Sequence, residues 1–241
     1  MVKLSVNINK IATLRNARGG SIPDVIQAAT DIQRFGAHGI TVHPRPDQRH
    51  IRKSDVYGLK KVVYTEFNIE GYPSKDFMVM IREIKPTQAT LVPDPPDVLT
   101  SNAGWNTKEH ASFLRKCIAE LKDLGVRSSL FISPDLEMIK YASETGTDRI
   151  ELYTEEYASG YDSKNMEKSK LVIAPYVRAA EFSREMGIGV NAGHDLSLDN
   201  LKFFKDNIPW LEEVSIGHAL ISDALYFGLE NVVQMYLKKI R

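Results

Sequence analysis

Histidines and glutamates occur where predicted strands end, and these residue types move protons near neutral pH. His43, His194 and His218 each follow a short apolar run, and Glu70 and Glu151 belong to two further runs. In a closed parallel sheet these five side chains would converge on one rim. Desolvating so many ionisable groups together is costly unless they act jointly. The pattern therefore predicts acid–base chemistry at one site, although each histidine alone could be a hydrogen-bonded structural residue.

Glycines and arginines predict sites for phosphate. Gly217-His218 opens a predicted helix, where backbone N–H groups and the helix dipole favour an anion. Arg18 and Arg45 lie on different loops, and a guanidinium can bind two phosphate oxygens at once. Two basic clusters predict two phosphate groups. The alternative is that these arginines, together with Arg15, Arg49 and Arg52, are solvated charges.

Other chemistry has weaker support. A zinc site built from His43, His194 and Glu70 stays open, but the sequence contains no HExxH pair. The sequence also lacks the GxSxG turn that would indicate a Ser–His–Asp hydrolase. Neither the GxGxxG turn nor the GxxxxGK[ST] loop of nucleotide-binding proteins occurs.

The composition argues against several classes of binding partner. Lys plus Arg and Asp plus Glu both number 31 in 241 residues, so no overall field attracts nucleic acid or anionic membranes. Cys117 is the one cysteine, which excludes an internal disulfide and fits a reducing compartment. The first residues lack a secretory pattern, and no apolar run approaches the roughly 20 residues of a membrane span. We expect a cytoplasmic protein with neither nucleic acid nor membrane as partner.

Short β-rich runs alternate with amphipathic helical segments along the whole chain. The predicted strands are Leu4–Ile8, Gly39–His43, Tyr64–Ile69, Gln88–Val92, Arg127–Ile132, Arg149–Leu152, Gly187–Asn191 and Glu213–Ile216. Eight strand–helix units in about 240 residues are typical of one (β/α)8 TIM barrel, here over residues 1–241. An open doubly wound sheet is the alternative.

Local signals predict several helix boundaries and two long connections. The signals are Ser74 capping 74–84, Gly125 ending 108–124, Pro134 at the first position of the next helix, and a last helix over about 219–238. Pro93–Thr107 and Tyr153–Asn165 exceed ordinary connections and are candidate lids.

Ordered segments of the chain resemble the pyridoxine 5′-phosphate synthase family. The most specific segment is Ile11–Gly19, with support from Gly39–Arg45, Arg49–Ile51, Asn68–Glu70, Val190–His194 and Ile216–Ala219. The resemblance implies a TIM barrel with added helices, usually an octamer built from dimers. It implies condensation of 1-deoxy-D-xylulose 5-phosphate with 3-amino-2-oxopropyl phosphate to pyridoxine 5′-phosphate, inorganic phosphate and water, with neither metal nor organic cofactor.

The resemblance also implies a role for each matched residue. It assigns the aminoketone phosphate to Asn7, Arg18, Gly217 and His218. It assigns the deoxyxylulose phosphate to Asn9, Lys10, Arg45, His50 and Thr100, and a backbone substrate contact to Asp195. It assigns the general-base roles to His43 and Glu70, the acid role to His194, and stabilisation of a transition state to Glu151.

The chain departs from the family pattern in several places. Asn9-Lys10 replaces Asp-His, Asp195 replaces Gly, and Tyr153 and Glu155 replace His and Gly on either side of Thr154. The loop 93–107 differs as well. These departures leave two alternatives open: a Schiff-base phosphosugar aldolase using Lys10, and a phosphosugar-binding barrel without catalysis.

Overall fold

Eight parallel strands form a closed barrel in the computed structural model, which describes residues 1–93, 103–208 and 210–241. The strands are β1 (Lys3–Asn7), β2 (Gly39–Val42), β3 (Glu66–Gly71), β4 (Gln88–Leu91), β5 (Arg127–Ile132), β6 (Arg149–Leu152), β7 (Gly189–Gly193) and β8 (Leu211–Ile216). They are ordered as in the sequence, and β1 pairs with both β2 and β8. The predicted (β/α)8 barrel is confirmed, and the open sheet is wrong.

Helices surround the barrel. They are α1 (Asn9–Asn16), α2 (Val25–Arg34), α3 (Lys53–Leu59), α4 (Lys75–Ile84), α5 (Thr107–Asp123), α6 (Leu136–Glu144), α7 (Glu155–Gly160), α8 (Met166–Glu185), α9 (Leu201–Asn207), α10 (His218–Phe227) and α11 (Leu229–Ile240). Pairs of helices follow β1, β6 and β8, so the added helices are confirmed. Ser74 caps α4 by accepting a hydrogen bond from the Phe77 N–H at 3.2 Å. Gly125 follows α5 with a φ of 71°, as a helix end requires.

Three local predictions are wrong. Pro134 does not begin α6, because the Asp135 carboxylate accepts hydrogen bonds from two N–H groups of the first turn and sets the start at Leu136. The last helix is divided, since Gly228 has a φ of 80° and separates α10 from α11. The connection Tyr153–Asn165 contains α7 and is therefore not a plain loop.

The barrel interior is polar. Asn191 of β7 donates to Gln88 of β4 at 3.4 Å, and these strands are not neighbours, so the bond crosses the interior. Arg149 donates to Asn191 at 3.1 Å, and Arg127 donates to Gln88 at 2.8 Å. Burial raises the pKa of Glu213 to about 7, against the opposing effect of Arg149. Apolar side chains on the outer faces of the strands supply the packing against the helices.

One buried ion pair fixes the connection between β2 and α3. Arg15 of α1 contacts both carboxylate oxygens of Asp55 in α3, at 2.7 and 2.9 Å. Arg15 also donates to the carbonyl of His50 at 3.1 Å, and Asn16 donates to the same carbonyl at 2.8 Å. Arg15 is therefore not a solvated charge. It holds the loop that carries His50.

We expect Arg15→Met to lower the free energy of unfolding by about 3 kcal/mol, because it leaves the buried Asp55 carboxylate without its cation. Urea unfolding followed by circular dichroism measures the change. The matched control is Arg34→Met, because Arg34 pairs with Asp31 through a side chain that is 69% exposed. The control should lose less than about 1 kcal/mol. Equal losses in the two variants would contradict the role given to Arg15.

Candidate active site

The ionisable residues that the sequence singled out lie at the carboxyl ends of the strands. His43 follows β2, Glu70 belongs to β3, Glu151 to β6, and His194 and His218 follow β7 and β8. In a closed ring of eight strands, β2 and β3 lie opposite β6 and β7. The two groups therefore face each other across one mouth.

His43 and Glu70 form the core of one side. His43 Nδ1 lies 3.9 Å from Glu70 Oε2, and Asn7 Nδ2 donates to the same oxygen at 3.4 Å. Asn9 Oδ1 accepts a hydrogen bond from the His43 N–H at 2.9 Å, while the Asn9 N–H donates to Asn7 Oδ1 at 3.0 Å. Asn9 replaces the aspartate of the family pattern, but its side-chain oxygen still accepts a hydrogen bond. This bond anchors the backbone of His43.

Burial keeps two imidazoles neutral. It lowers the pKa of His43 well below its usual range, and Arg45 adds to the effect. It also lowers the pKa of His50 to about 4, with further contributions from Arg45 and then Lys10. The two rings meet edge to face, with centroids 6.2 Å apart. A neutral imidazole has a nitrogen lone pair, so His43 can accept a proton at physiological pH.

Burial has the opposite effect on Glu151, whose carboxyl group it keeps protonated. Burial raises its pKa well above the usual range, and repulsion from Glu70 and then Glu213 adds to this. Among the described residues its Oε2 has no hydrogen-bond partner. A protonated, buried carboxyl can donate a hydrogen bond or a proton to a group bound in the mouth.

We expect Glu151→Gln to change how stability depends on pH. The native state keeps the Glu151 proton above 4.5, where the unfolded chain loses it, so this group's contribution to stability falls as pH rises. The fall is about 1.4 kcal/mol per pH unit. The advantage of the variant over the parent in urea unfolding should therefore grow as the pH rises above about 4.5. The control is Glu167→Gln, which alters a side chain that is 83% exposed. The difference in the free energy of unfolding between this variant and the parent should not change with pH.

Gly193 makes room for Glu151 at the end of β7. A Cβ at this position would lie 2.6 Å from the Ser215 carbonyl oxygen and 2.8 Å from Glu151 Oε1. Both distances are shorter than real contacts, and the first neighbour is backbone. Only glycine therefore lets β7 approach β8 and the Glu151 carboxyl this closely.

We expect Gly193→Ala to lower the free energy of unfolding by about 1–3 kcal/mol through overpacking and to displace Glu151. Thermal and urea unfolding measure the loss. Gly20→Ala is the control, since a Cβ there meets nothing within 4 Å. An unchanged free energy of unfolding for Gly193→Ala would contradict this prediction, because it would show that the neighbouring strands move to accommodate the added methyl group.

His194 and Asp195 form the opposite side of the mouth. His194 Nδ1 lies 2.7 Å from Asp195 Oδ2, and the ring of Tyr153 packs edge-on against His194 with centroids 5.4 Å apart. The N–H predicted to contact substrate, that of Asp195, donates to the Gly193 carbonyl at 2.9 Å. The Asp195 carboxylate is turned toward His194.

Two regions of the mouth can hold anions. Gly217 precedes α10, and its backbone packs against Asn7, where a Cβ would lie 3.1 Å from the Asn7 Cβ. A second region is a cavity of about 210 Å³ beside His43, lined by Arg45 and Lys53 but also by Asp76 and by Phe77 and Met80 of α4. Arg45 is buried, so its charge acts in a poorly solvated place.

Some predicted site residues lie apart from these contacts or outside the described part of the chain. Arg18 is exposed after α1, and Lys10 is exposed in the first turn of α1. Thr100 and most of Pro93–Thr107 lie outside the described residues. Sequence reasoning missed Arg15 and Asn16 as supports of the His50 loop. Both residues belong to the Ile11–Gly19 segment that the sequence singled out. The contacts of this segment with residues 48–55, however, form only in the folded barrel.

Two further observations concern the described residues alone. Within residues 1–93, 103–208 and 210–241, no group of three or more His, Cys, Asp or Glu side chains is arranged to hold a metal ion. The zinc alternative thus gains no support from His43, His194 and Glu70. Over the same ranges, no helix combines the length and apolar character needed to cross a bilayer.

The fold and the grouped ionisable side chains define a class, a (β/α)8 barrel with a candidate acid–base site at its carboxyl mouth. Solved barrels resemble it in fold. One is a monomeric form of the phosphoribosylanthranilate isomerase of Thermotoga maritima, with a TM-score of 0.60, 12% identity, and coverage of 100% of this chain and 98% of that one. Another is the thiamine phosphate pyrophosphorylase of Pyrococcus furiosus, with a TM-score of 0.61, 12% identity, and coverage of 99% and 95%.

Sequence comparison is more specific. Residues 4–241 match the model of the family described as pyridoxal phosphate biosynthesis protein PdxJ. Proteins named pyridoxine 5′-phosphate synthase are 61% identical in Flavobacterium johnsoniae and 58% identical in Bacteroides fragilis, each over 241 residues and the full length of both chains. The chain belongs to the PdxJ family.

Proposed function

We propose that the chain condenses 1-deoxy-D-xylulose 5-phosphate with 3-amino-2-oxopropyl phosphate to give pyridoxine 5′-phosphate, phosphate and water. The observation that carries this proposal is the full-length similarity to relatives named pyridoxine 5′-phosphate synthase. The two anion regions at one mouth support it, because both substrates carry phosphate. The reaction needs proton transfers beside an imine or carbonyl, and the mouth offers neutral imidazoles and carboxyl groups for these.

The chemistry begins with the substrate amine, which attacks the ketone of deoxyxylulose phosphate and forms an imine with loss of water. Phosphate then leaves, and an aldol-type closure followed by dehydration gives the aromatic ring. The amine belongs to the substrate, so no lysine of the chain has to form the imine. Each step moves a proton on carbon or oxygen next to a carbonyl or imine carbon.

The residues divide these proton transfers by their protonation. His43, kept neutral by burial and Arg45, accepts protons together with Glu70, its neighbour at 3.9 Å. Glu151, kept protonated by burial, donates to negative charge that develops on substrate oxygen. His194 supplies a proton to a leaving oxygen. These assignments follow the family pattern, and the opposed pKa directions of His43 and Glu151 suit them.

The substrate-binding residues form two groups, one for each phosphorylated substrate. We assign the aminoketone phosphate to Asn7, Arg18, Gly217 and His218, and the deoxyxylulose phosphate to Asn9, Lys10, Arg45, His50 and Thr100, with Asp195 beside them. The backbone N–H groups at the start of α10 suit an anion. The cavity beside His43 is the proposed place for the second phosphate, because Arg45 and Lys53 outnumber Asp76 in its lining. The proposal requires neither a metal ion nor an organic cofactor.

We also propose that residues 1–241 form one domain that assembles as a homo-oligomer, an octamer built from dimers as in the family pattern. The pairing of β1 with β8 uses strands from both halves of the chain, which supports a single domain. Leu225, Tyr226 and Phe227 at the end of α10 are 74%, 84% and 52% exposed, an apolar patch that an oligomer would cover. Light scattering on the purified protein tests the assembly.

The direct test mixes the purified protein with both substrates and measures pyridoxine 5′-phosphate and free phosphate. Equal amounts of the two products are expected. Binding of deoxyxylulose phosphate with no turnover would instead identify a phosphosugar-binding barrel without catalysis. Borohydride trapping distinguishes the aldolase alternative, in which a reduced substrate adduct would form on Lys10.

We expect Lys10→Met to raise KM for deoxyxylulose phosphate, with little change in kcat. The variant keeps an apolar stem and loses one charged hydrogen-bond donor, which costs about 1.5–3 kcal/mol. The family residue is restored by Lys10→His, which should remain active. Lys238→Met, an exposed change on α11, is the control. A collapse of kcat with unchanged KM in Lys10→Met would refute the binding role.

A further inference from the structure

Three departures from the family pattern meet around one histidine. Asp195 contacts the His194 ring at Nδ1, at 2.7 Å. The Tyr153 ring packs edge-on against the His194 ring, and the Tyr153 hydroxyl donates to the Glu155 carboxylate at 3.1 Å. In the family pattern these three positions are occupied by Gly, His and Gly. Asp195 and Tyr153 are far apart in sequence but both contact His194, and Glu155 contacts Tyr153, so the three changes together alter the surroundings of His194.

The turn that carries His194 and Asp195 is held by the rest of the fold. His194 has a φ of 61°, a left-handed conformation that is uncommon outside glycine. Thr154 donates through its hydroxyl to the Gly193 carbonyl on one side of the turn. Asn200 donates to the Asp195 carbonyl at 3.2 Å on the other side. Thr154 and Asn200 are both buried, so packed neighbours hold the backbone of the turn, while the His194 and Asp195 side chains are 37% and 31% exposed.

We propose that Asp195 is a positioning residue that holds the His194 ring with Nδ1–H toward its carboxylate, so that Nε2 serves the substrate. This inference rests on the proposed function, in which His194 supplies a proton. A carboxylate accepting from Nδ1 fixes the tautomer and stabilises the imidazolium. A histidine with glycine as its neighbour lacks this partner, so Asp195 adds a proton-holding pair to the family site.

Other ionisable groups lie near the pair. They are Tyr153 after β6, Glu151 in β6, Glu155 and Glu156 in α7, and Tyr176 in α8. Burial, then the hydrogen bond to Glu155, raises the pKa of Tyr153, so its ring packs on His194 as a neutral group. Glu151 is held protonated by burial and repulsion. The carboxylate that contacts His194 is therefore that of Asp195.

The first test is independent of turnover. Protein labelled with ¹⁵N-histidine is titrated by NMR, and the His194 signals are assigned by their loss in His194→Gln. We expect the Nδ1–H tautomer in the parent. Asp195→Asn should move the His194 titration midpoint to lower pH by about one unit and mix the tautomers. Asp199→Asn, which removes an exposed charge from the same loop, should leave both unchanged. An unchanged His194 in Asp195→Asn would overturn the proposal.

The second test uses the reaction. In Asp195→Asn the limb of the kcat profile that reports the acid should move to lower pH, with a loss of about tenfold in kcat at neutral pH and little change in KM. Asp195→Gly, the family residue, should behave in the same way while the protein stays folded. A raised KM with an unmoved profile would identify Asp195 as a substrate contact and overturn the positioning role. If the parent makes no product while the NMR result holds, the proposed function fails and the pairing stands.

Discussion

The hydrogen bonds between β1 and β8 are the constraint on which the site depends. They close the sheet, so the carboxyl ends of all eight strands meet at one rim. His43 and His194 are separated by 150 positions in the sequence, yet closure brings their strands to the same mouth. An open sheet with the same residues would spread them along an edge, where they would stay hydrated and keep ordinary protonation.

Closure also removes water, and desolvation then decides which groups carry charge. It acts in opposite senses on the two residue types, keeping His43 neutral by loss of a proton and Glu151 neutral by retention of one. A proton acceptor and a proton donor can therefore coexist within one mouth near neutral pH. The polar barrel interior beneath them contributes to this through Glu213, whose repulsion adds to the effect of burial on Glu151.

Much of the fold followed from local patterns. The order and type of all eight strands were predictable because short β-rich runs alternate with amphipathic helical segments along the chain. Helix ends were less certain, since competing signals lie side by side. Asp135 capped α6 where Pro134 was expected to begin it, and Gly228 divided a helix whose apolar pattern is continuous. In both cases a single side chain or backbone angle decided between two acceptable local structures.

The sequence by itself determined the strand–helix alternation, the placing of histidines and glutamates at strand ends, and the family resemblance, because these depend on residue type and spacing. Only the tertiary structure decided which groups touch. It paired Arg15 with Asp55, tied Asn9 to the backbone of His43, and turned Asp195 toward His194. The reason is physical: hydrogen bonds and pKa shifts act over a few ångströms, and such distances between remote residues exist only after the barrel has closed.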